Sequence, residues 1–160
     1  MYLDDGQCRM VSDFRSWLES AVSDLLQGAD FNRYDRGDDS ILITRWPAEA
    51  HFWYEVSIRP FLPQVRIGIM TDDRFRSEDF ERLITDSGDT MQEFVEEAFG
   101  SVGLYWSAPP VEHYCEDGLR YYFSTPMDLK CVDQLSDKSC RDKAFKVFRG
   151  YDRAFFQMSR

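Results

Sequence analysis

The stretch His51-Phe-Trp-Tyr-Glu-Val-Ser-Ile-Arg59, then Pro60-Phe-Leu-Pro63, then Gln64-Val-Arg-Ile-Gly-Ile-Met70, decides the fold. In its first run Phe52, Tyr54, Val56 and Ile58 alternate with Trp53, Glu55, Ser57 and Arg59. In the second, Val65, Ile67 and Ile69 alternate with Arg66, Gly68 and Met70. Side chains on a strand point to opposite faces with a period of two, so the two runs predict a β-hairpin with one apolar and one mixed face. Pro60 and Pro63 cannot donate to a strand ladder, which places the reversal between them. The rest of the chain supplies strands that pair with this hairpin and helices that cover its apolar face.

Upstream, residues 1–10 read as a loose leader. A helix follows, with Ser12 as N-cap and Asp13 in the first turn, where the helix dipole favours an acid. Phe14, Trp17, Leu18, Ala21, Val22, Leu25 and Leu26 form a single stripe broad enough to lie on a sheet. Gly28 closes it. Phe31–Arg36 and Ser40–Trp46 bracket Gly37-Asp-Asp39, a tight hairpin turn, and Pro47 ends the second strand. With the central hairpin this makes a four-strand antiparallel meander.

Downstream, Phe80, Leu83, Ile84, Met91, Phe94, Val95 and Ala98 hold one helical face from Ser77 to Phe99. Asp86-Ser-Gly-Asp89 interrupts that face, and Thr90-x-x-Glu93 has the form of a capping box, so the helix breaks near Gly88. Leu104–Ser107 and Leu119–Ser124 read as two further strands joined by a polar connection. Thr125-Pro-x-Asp128 reads as a helix start, with a short helix over 127–135. From Ser136 a last helix carries Cys140, Ala144, Val147, Phe148, Tyr151, Phe155 and Met158 on one side. The expected fold is one α+β domain over 1–160. Its sheet is mainly antiparallel, of about five to six strands, with helices packed on it in the order α-ββββ-α-ββ-α.

Composition narrows the function. An apolar content of 43%, with 13 Phe, 8 Tyr and 4 Trp, is ample for a packed core. No apolar run approaches the roughly 18 residues of a membrane span. The start, Met1-Tyr-Leu-Asp-Asp-Gly6, has neither a basic region nor an apolar signal core, so the expected location is cytoplasmic. A net charge of −10 disfavours nucleic acid as a partner and suits a basic or partly unfolded protein. Cys8, Cys115, Cys131 and Cys140 form no Cys-x-x-Cys pair and are expected as free thiols, without zinc.

At residues 65–71, 80–106 and 119–156 the chain resembles an uncharacterised bacterial domain family, sometimes appended to nuclease-like or restriction-associated proteins. The residues that carry this are Val65-Arg-Ile-Gly-Ile-Met70, Phe80-x-x-Leu83 on a helix closing with Gly100, Leu104-x-Trp106, and Phe145-Lys-Val-Phe148 on the final helix. That resemblance implies an accessory part in a bacterial defence system and brings no catalytic residues. The element order is also similar to the type III secretion chaperone-like fold, α-βββ-α-ββ-α, which implies a small acidic chaperone. The extra strand before Ile41 departs from that order.

Chemistry is sparse. Asp38-Asp39, Asp72-Asp73 and Glu96-Glu97 fall in turns or on polar helix faces, where acids are solvated. Glu55-Val-Ser-Ile-Arg59 lacks the lysine that a restriction-type nuclease strand requires. His51 and His113 are the two histidines, and Glu112-His-Tyr-Cys115 sets an imidazole and a thiol two residues apart without a third, orienting group. No phosphate-binding glycine loop and no Gly-x-Ser-x-Gly occurs. These features give no catalytic residues, no metal and no cofactor.

What remains is the second face of the sheet. Trp53, Arg59, Arg66 and Met70 lie there with Glu55, and register decides whether Trp46, Tyr122 and Arg120 join them. Exposed aromatics beside arginines are enriched at binding hot spots. The same face becomes ordinary core if the last helix covers it. The sequence thus reads as a small acidic protein-interaction module without catalysis, chaperone-like or adaptor-like, with a homodimer through its sheet or a helix left open. The alternatives are an immunity-type inhibitor of a basic toxin or nuclease and an accessory domain of a defence system.

Overall fold

The computed structural model describes residues 2–157. It contains α1 (Asp5–Leu25), β1 (Asn32–Arg33), β2 (Leu42–Pro47), β3 (Phe52–Arg59), β4 (Gln64–Thr71), α2 (Arg74–Asp86) and α3 (Met91–Ser101). Then come β5 (Glu112–Glu116), β6 (Arg120–Asp128), a 3-10 turn (Val132–Ser136) and α4 (Lys138–Asp152), which runs on into a π-helical turn (Arg153–Gln157). The strands form one antiparallel sheet in the order β1-β2-β3-β4-β6-β5. The chain leaves the sheet after β4, builds α2 and α3, and returns to place β6 beside β4.

The central hairpin has the expected faces. Val56 pairs with Ile67, Tyr54 with Ile69 and Ile58 with Val65, and all six side chains are buried. β6 continues the layer, Phe123 opposite Ile69 and Met127 opposite Val65. On this layer lies α4, flanked by α1 and α3. Phe148 of α4 packs on Tyr54 at 4.9 Å between ring centroids, and Val22, Leu18 and Phe14 of α1 fill one flank. Gly150 lets α4 come close to α3: a Cβ there would lie 2.3 Å from Cδ1 of the buried Phe99 ring. Met158, expected on the final helical stripe, lies outside the described residues.

Several expectations require correction. The leader at 1–10 is largely helix. α1 starts at Asp5, because Asp4 and Gln7 form a reciprocal capping box, with Gln7 N–H on Asp4 Oδ1 at 2.7 Å and Asp4 N–H on Gln7 Oε1 at 3.1 Å. The first strand shrinks to two residues. Leu104–Ser107 forms no strand; Leu104 and Trp106 pack on the core from an irregular segment. The strand beside β6 is the polar β5.

Thr125-Pro126 continues β6 and starts no helix. β5 pairs no residue of β6 beyond Ser124, so Pro126 has a strand neighbour on one side only, where a missing N–H is tolerated. The break near Gly88 is present: Gly88 takes φ +85, and Thr90 and Glu93 cap α3 reciprocally.

An ionic clasp pins α1 to the first hairpin. Arg15, 7% exposed, holds both carboxylate oxygens of Asp35 at 2.7 and 2.8 Å and donates to the Ile43 carbonyl at 3.0 Å. Glu19, 3% exposed, accepts from Arg33 Nε and from the Thr44 hydroxyl, each at 2.9 Å. The guanidinium beside Asp35 holds that carboxyl below its ordinary range.

Candidate functional site, the second face of the sheet

Among the described residues every helix packs on the Val56/Ile67 side, and none covers the other. Pairing lays out that second face in rows. One runs Pro47, Trp53, Met70, Tyr122, Tyr114 across β2, β3, β4, β6 and β5. The next runs Arg45, Glu55, Gly68, Ser124, Glu112. Beyond it, Ser57, Arg66 and Pro126 stand side by side.

Trp53, Arg59, Arg66 and Met70 lie on the face that the alternation gives them, and the register, left open by the sequence, brings Tyr122 and Arg120 to the same face. Trp46 is a correction. It pairs with Tyr54, and cross-strand partners share a face, so it belongs to the helix side. There it is fully buried, edge-on to Phe148 at 5.6 Å, with its indole N–H on Ser23 Oγ at 3.2 Å. Met70 and Tyr122 are 4% and 3% exposed, so they offer little bare apolar surface. Trp53, Arg59, Arg66 and Arg120 are half-buried.

What closes over Met70 and Tyr122 is a lattice of long polar side chains. Arg45 Nε donates to Glu55 Oε2 at 2.8 Å, its Nη2 lies 3.3 Å from the Tyr122 hydroxyl, and its guanidinium sits 4.7 Å above the Tyr34 ring. Tyr122 stacks on Tyr114 at 4.8 Å. Arg66 bonds Glu112 and, at 2.8 Å, Gln64 Oε1, and lies 5.9 Å from the Tyr114 ring centre. Burial pushes Glu55 up despite Arg45, and pushes the phenols of Tyr122 and Tyr114 up as well.

Three buried side-chain atoms have no hydrogen-bond partner within the described protein: Ser57 Oγ, Arg59 Nε and Ser124 Oγ. All three belong to this face. A buried polar group left unpaired costs about 1–3 kcal/mol, so the face holds hydrogen-bonding capacity that its own side chains leave unused.

A second constellation was not legible in the sequence. His113 stacks on Phe123 at 4.0 Å, with Nδ1 2.7 Å from Glu81 Oε1 and Nε2 3.1 Å from Ser77 Oγ. Carboxylate, imidazole and hydroxyl stand in the order of a nucleophilic triad. Yet Ser77 is 2% exposed, and its N–H is held by the Asp73 carbonyl at 3.2 Å. The N–H groups that follow it are spent inside α2, leaving no donors for an oxyanion. The cluster ties α2 to β5. It also takes both imidazole nitrogens, so the pairing of His113 with Cys115 weighed from sequence is not formed. The one hint was the Ser77/Glu81 spacing of four on a helix.

Among the described residues no group of three or more His, Cys, Asp or Glu is placed to hold a metal ion. No helix among them is long and apolar enough to cross a membrane. Comparison with known proteins adds no relative: no family model, no curated protein and no solved structure matches the chain.

Proposed function

We propose that the chain is a small acidic protein-interaction module, chaperone-like or adaptor-like, acting in the cytoplasm and presenting the uncovered face of its sheet to a protein partner. One observation carries the reading: the three buried polar atoms without a hydrogen-bond partner among the described residues all lie on that face, Ser124 in the Gly68 row, Ser57 beside Arg66 and Arg59 beside Gln64. The chain's own side chains already seal these atoms from solvent, so a partner would satisfy them by displacing that cover. Trp53, Arg59 and Arg66 supply the residue types that anchor interfaces.

Trp53→Ala and Arg59→Ala test the reading. Sedimentation of the pure chain and capture from native extract are compared with thermal melting. Loss of self-association or of a captured protein at an unchanged melting temperature supports the sheet face. Intact association with a large fall in melting temperature assigns Trp53 to the core and removes the reading. The inhibitor alternative draws on the acidic charge, which is concentrated in residues 72–97.

A further inference from the structure

α2 is anchored along one narrow side. Of its thirteen residues only Ser77 and Ile84 are buried, whereas Phe75 is 74% exposed and Leu83 54%. Beside the helix runs a cleft of about 270 Å³, walled by Phe52, Phe80 and Leu83 and rimmed by Glu49, Arg76 and Asp79. On the other side of α2, toward α3, lies a groove of about 580 Å³, with Ile84 and Met91 in its floor and Glu78, Glu81, Asp86 and Asp89 along its edges.

Charge says what fits there. Residues 72–97 carry ten carboxylates against three arginines, which is seven of the chain's ten net negative charges. Those arginines are already matched: Arg74 to Glu78, Arg76 to Asp73 and Arg82 to Asp79. The surplus repels nucleic acid and anionic lipid, and attracts a polycation.

We propose that the outer side of α2 docks a basic polypeptide segment that carries at least one apolar side chain. The apolar side chain enters the cleft at Phe52, Phe80 and Leu83. Lysine and arginine side chains of the partner lie along the carboxylates of α2 and of the α2–α3 groove. This rests on the reading of the chain as an interaction module, and it adds a second surface and the chemistry of what binds there.

The test titrates the full chain with a short labelled synthetic peptide rich in Arg and Lys around one central Leu, and with its twin bearing Ser at that place. The Leu peptide should bind more tightly than its twin and should weaken as salt is raised. Leu83→Ser should weaken it on the order of tenfold while melting with the wild type, as befits an exposed side chain. Phe75→Ser serves as a second variant, and Trp53→Ala should bind the peptide like the wild type. Equal affinity of the two peptides, or unchanged affinity in Leu83→Ser, overturns the proposal, because the attraction is then charge alone. Loss of peptide binding in Trp53→Ala but not in Leu83→Ser moves the site to the sheet face and also overturns it. The sheet-face reading is judged separately, by association of the Trp53 variant.

Discussion

The Arg45 guanidinium reaches the Tyr122 hydroxyl at 3.3 Å although two strands, β3 and β4, lie between their backbones. Both side chains must lie flat to meet. The row they cross contains Glu55, which Arg45 binds on the way, and Gly68, which presents no side chain. The gap at Gly68 is therefore what allows a polar lattice to form over Met70 and Tyr122.

Gly68 has a second role. A Cβ at this position would lie 2.0 Å from the Phe123 carbonyl oxygen and 2.6 Å from Ser124 Cα, both backbone atoms. Alanine is ordinarily kinder to a strand than glycine. Here the sign reverses, and Gly68→Ala should cost roughly 1–3 kcal/mol by forcing β4 and β6 apart. Thermal denaturation measures it, and an unchanged or raised midpoint would contradict the close approach.

Gly150 makes the same argument with a side chain as the obstacle. On helix propensity alone Gly150→Ala gains about 1 kcal/mol. Against that stands the Phe99 ring, fully buried and packed against Tyr151 and Trp106. The variant should be destabilised by about 1–3 kcal/mol. Combining it with Phe99→Ala should give a loss smaller than the sum of the two, since the cavity from one substitution receives the methyl of the other. Additive losses in a double-mutant cycle would show that the two residues do not collide.

The clasp on α1 sets an acid limit. Asp35 has its pKa lowered by the Arg15 hydrogen bonds, so its contribution is complete above the unfolded value of about 3.9. It is lost as pH falls through the lower folded value. Asp35→Ala should cost about 1.5–3 kcal/mol at neutral pH by leaving Arg15 short of its bidentate partner. The difference between wild type and variant should shrink below roughly pH 4. Urea melts at neutral and acidic pH check this, and a gap that stays constant would remove Asp35 from the account.

What the sequence revealed and what it hid follow from the same physics. β3 and β4 alternate cleanly because one of their faces meets helices, and the Thr90/Glu93 box is a local signal within four residues. β5 was missed because Glu112, His113, Tyr114, Cys115 and Glu116 show no apolar alternation. Its inward side is covered partly by an imidazole, His113 on Phe123, and its outward side by pairs such as Glu112 with Arg66. Asp4-x-x-Gln7 was as legible as the later capping box, but the polar run 4–9 masked the helix it starts. The clasp and the Ser77–His113–Glu81 cluster join residues far apart in the chain, which no spacing encodes.

The two tryptophans of the first meander test the face assignment most directly. Trp46 and Trp53 stand one row apart on neighbouring strands, Trp46 opposite Tyr54 and Trp53 opposite Pro47, and an odd offset puts them on opposite faces. Trp46 is fully buried, and removing its indole leaves a cavity against Phe148 and an unpaired Ser23 hydroxyl. Trp46→Ala should therefore cost roughly 3–5 kcal/mol. Trp53 is half-buried on the uncovered face, where solvent refills the space, so Trp53→Ala should cost about 1 kcal/mol or less. Tryptophan emission gives an independent reading: loss of Trp46 should remove a blue component and loss of Trp53 a redder one. Equal losses of stability in the two variants would mean that both faces of the sheet are covered, and the interaction surface would have to be sought on α2 alone.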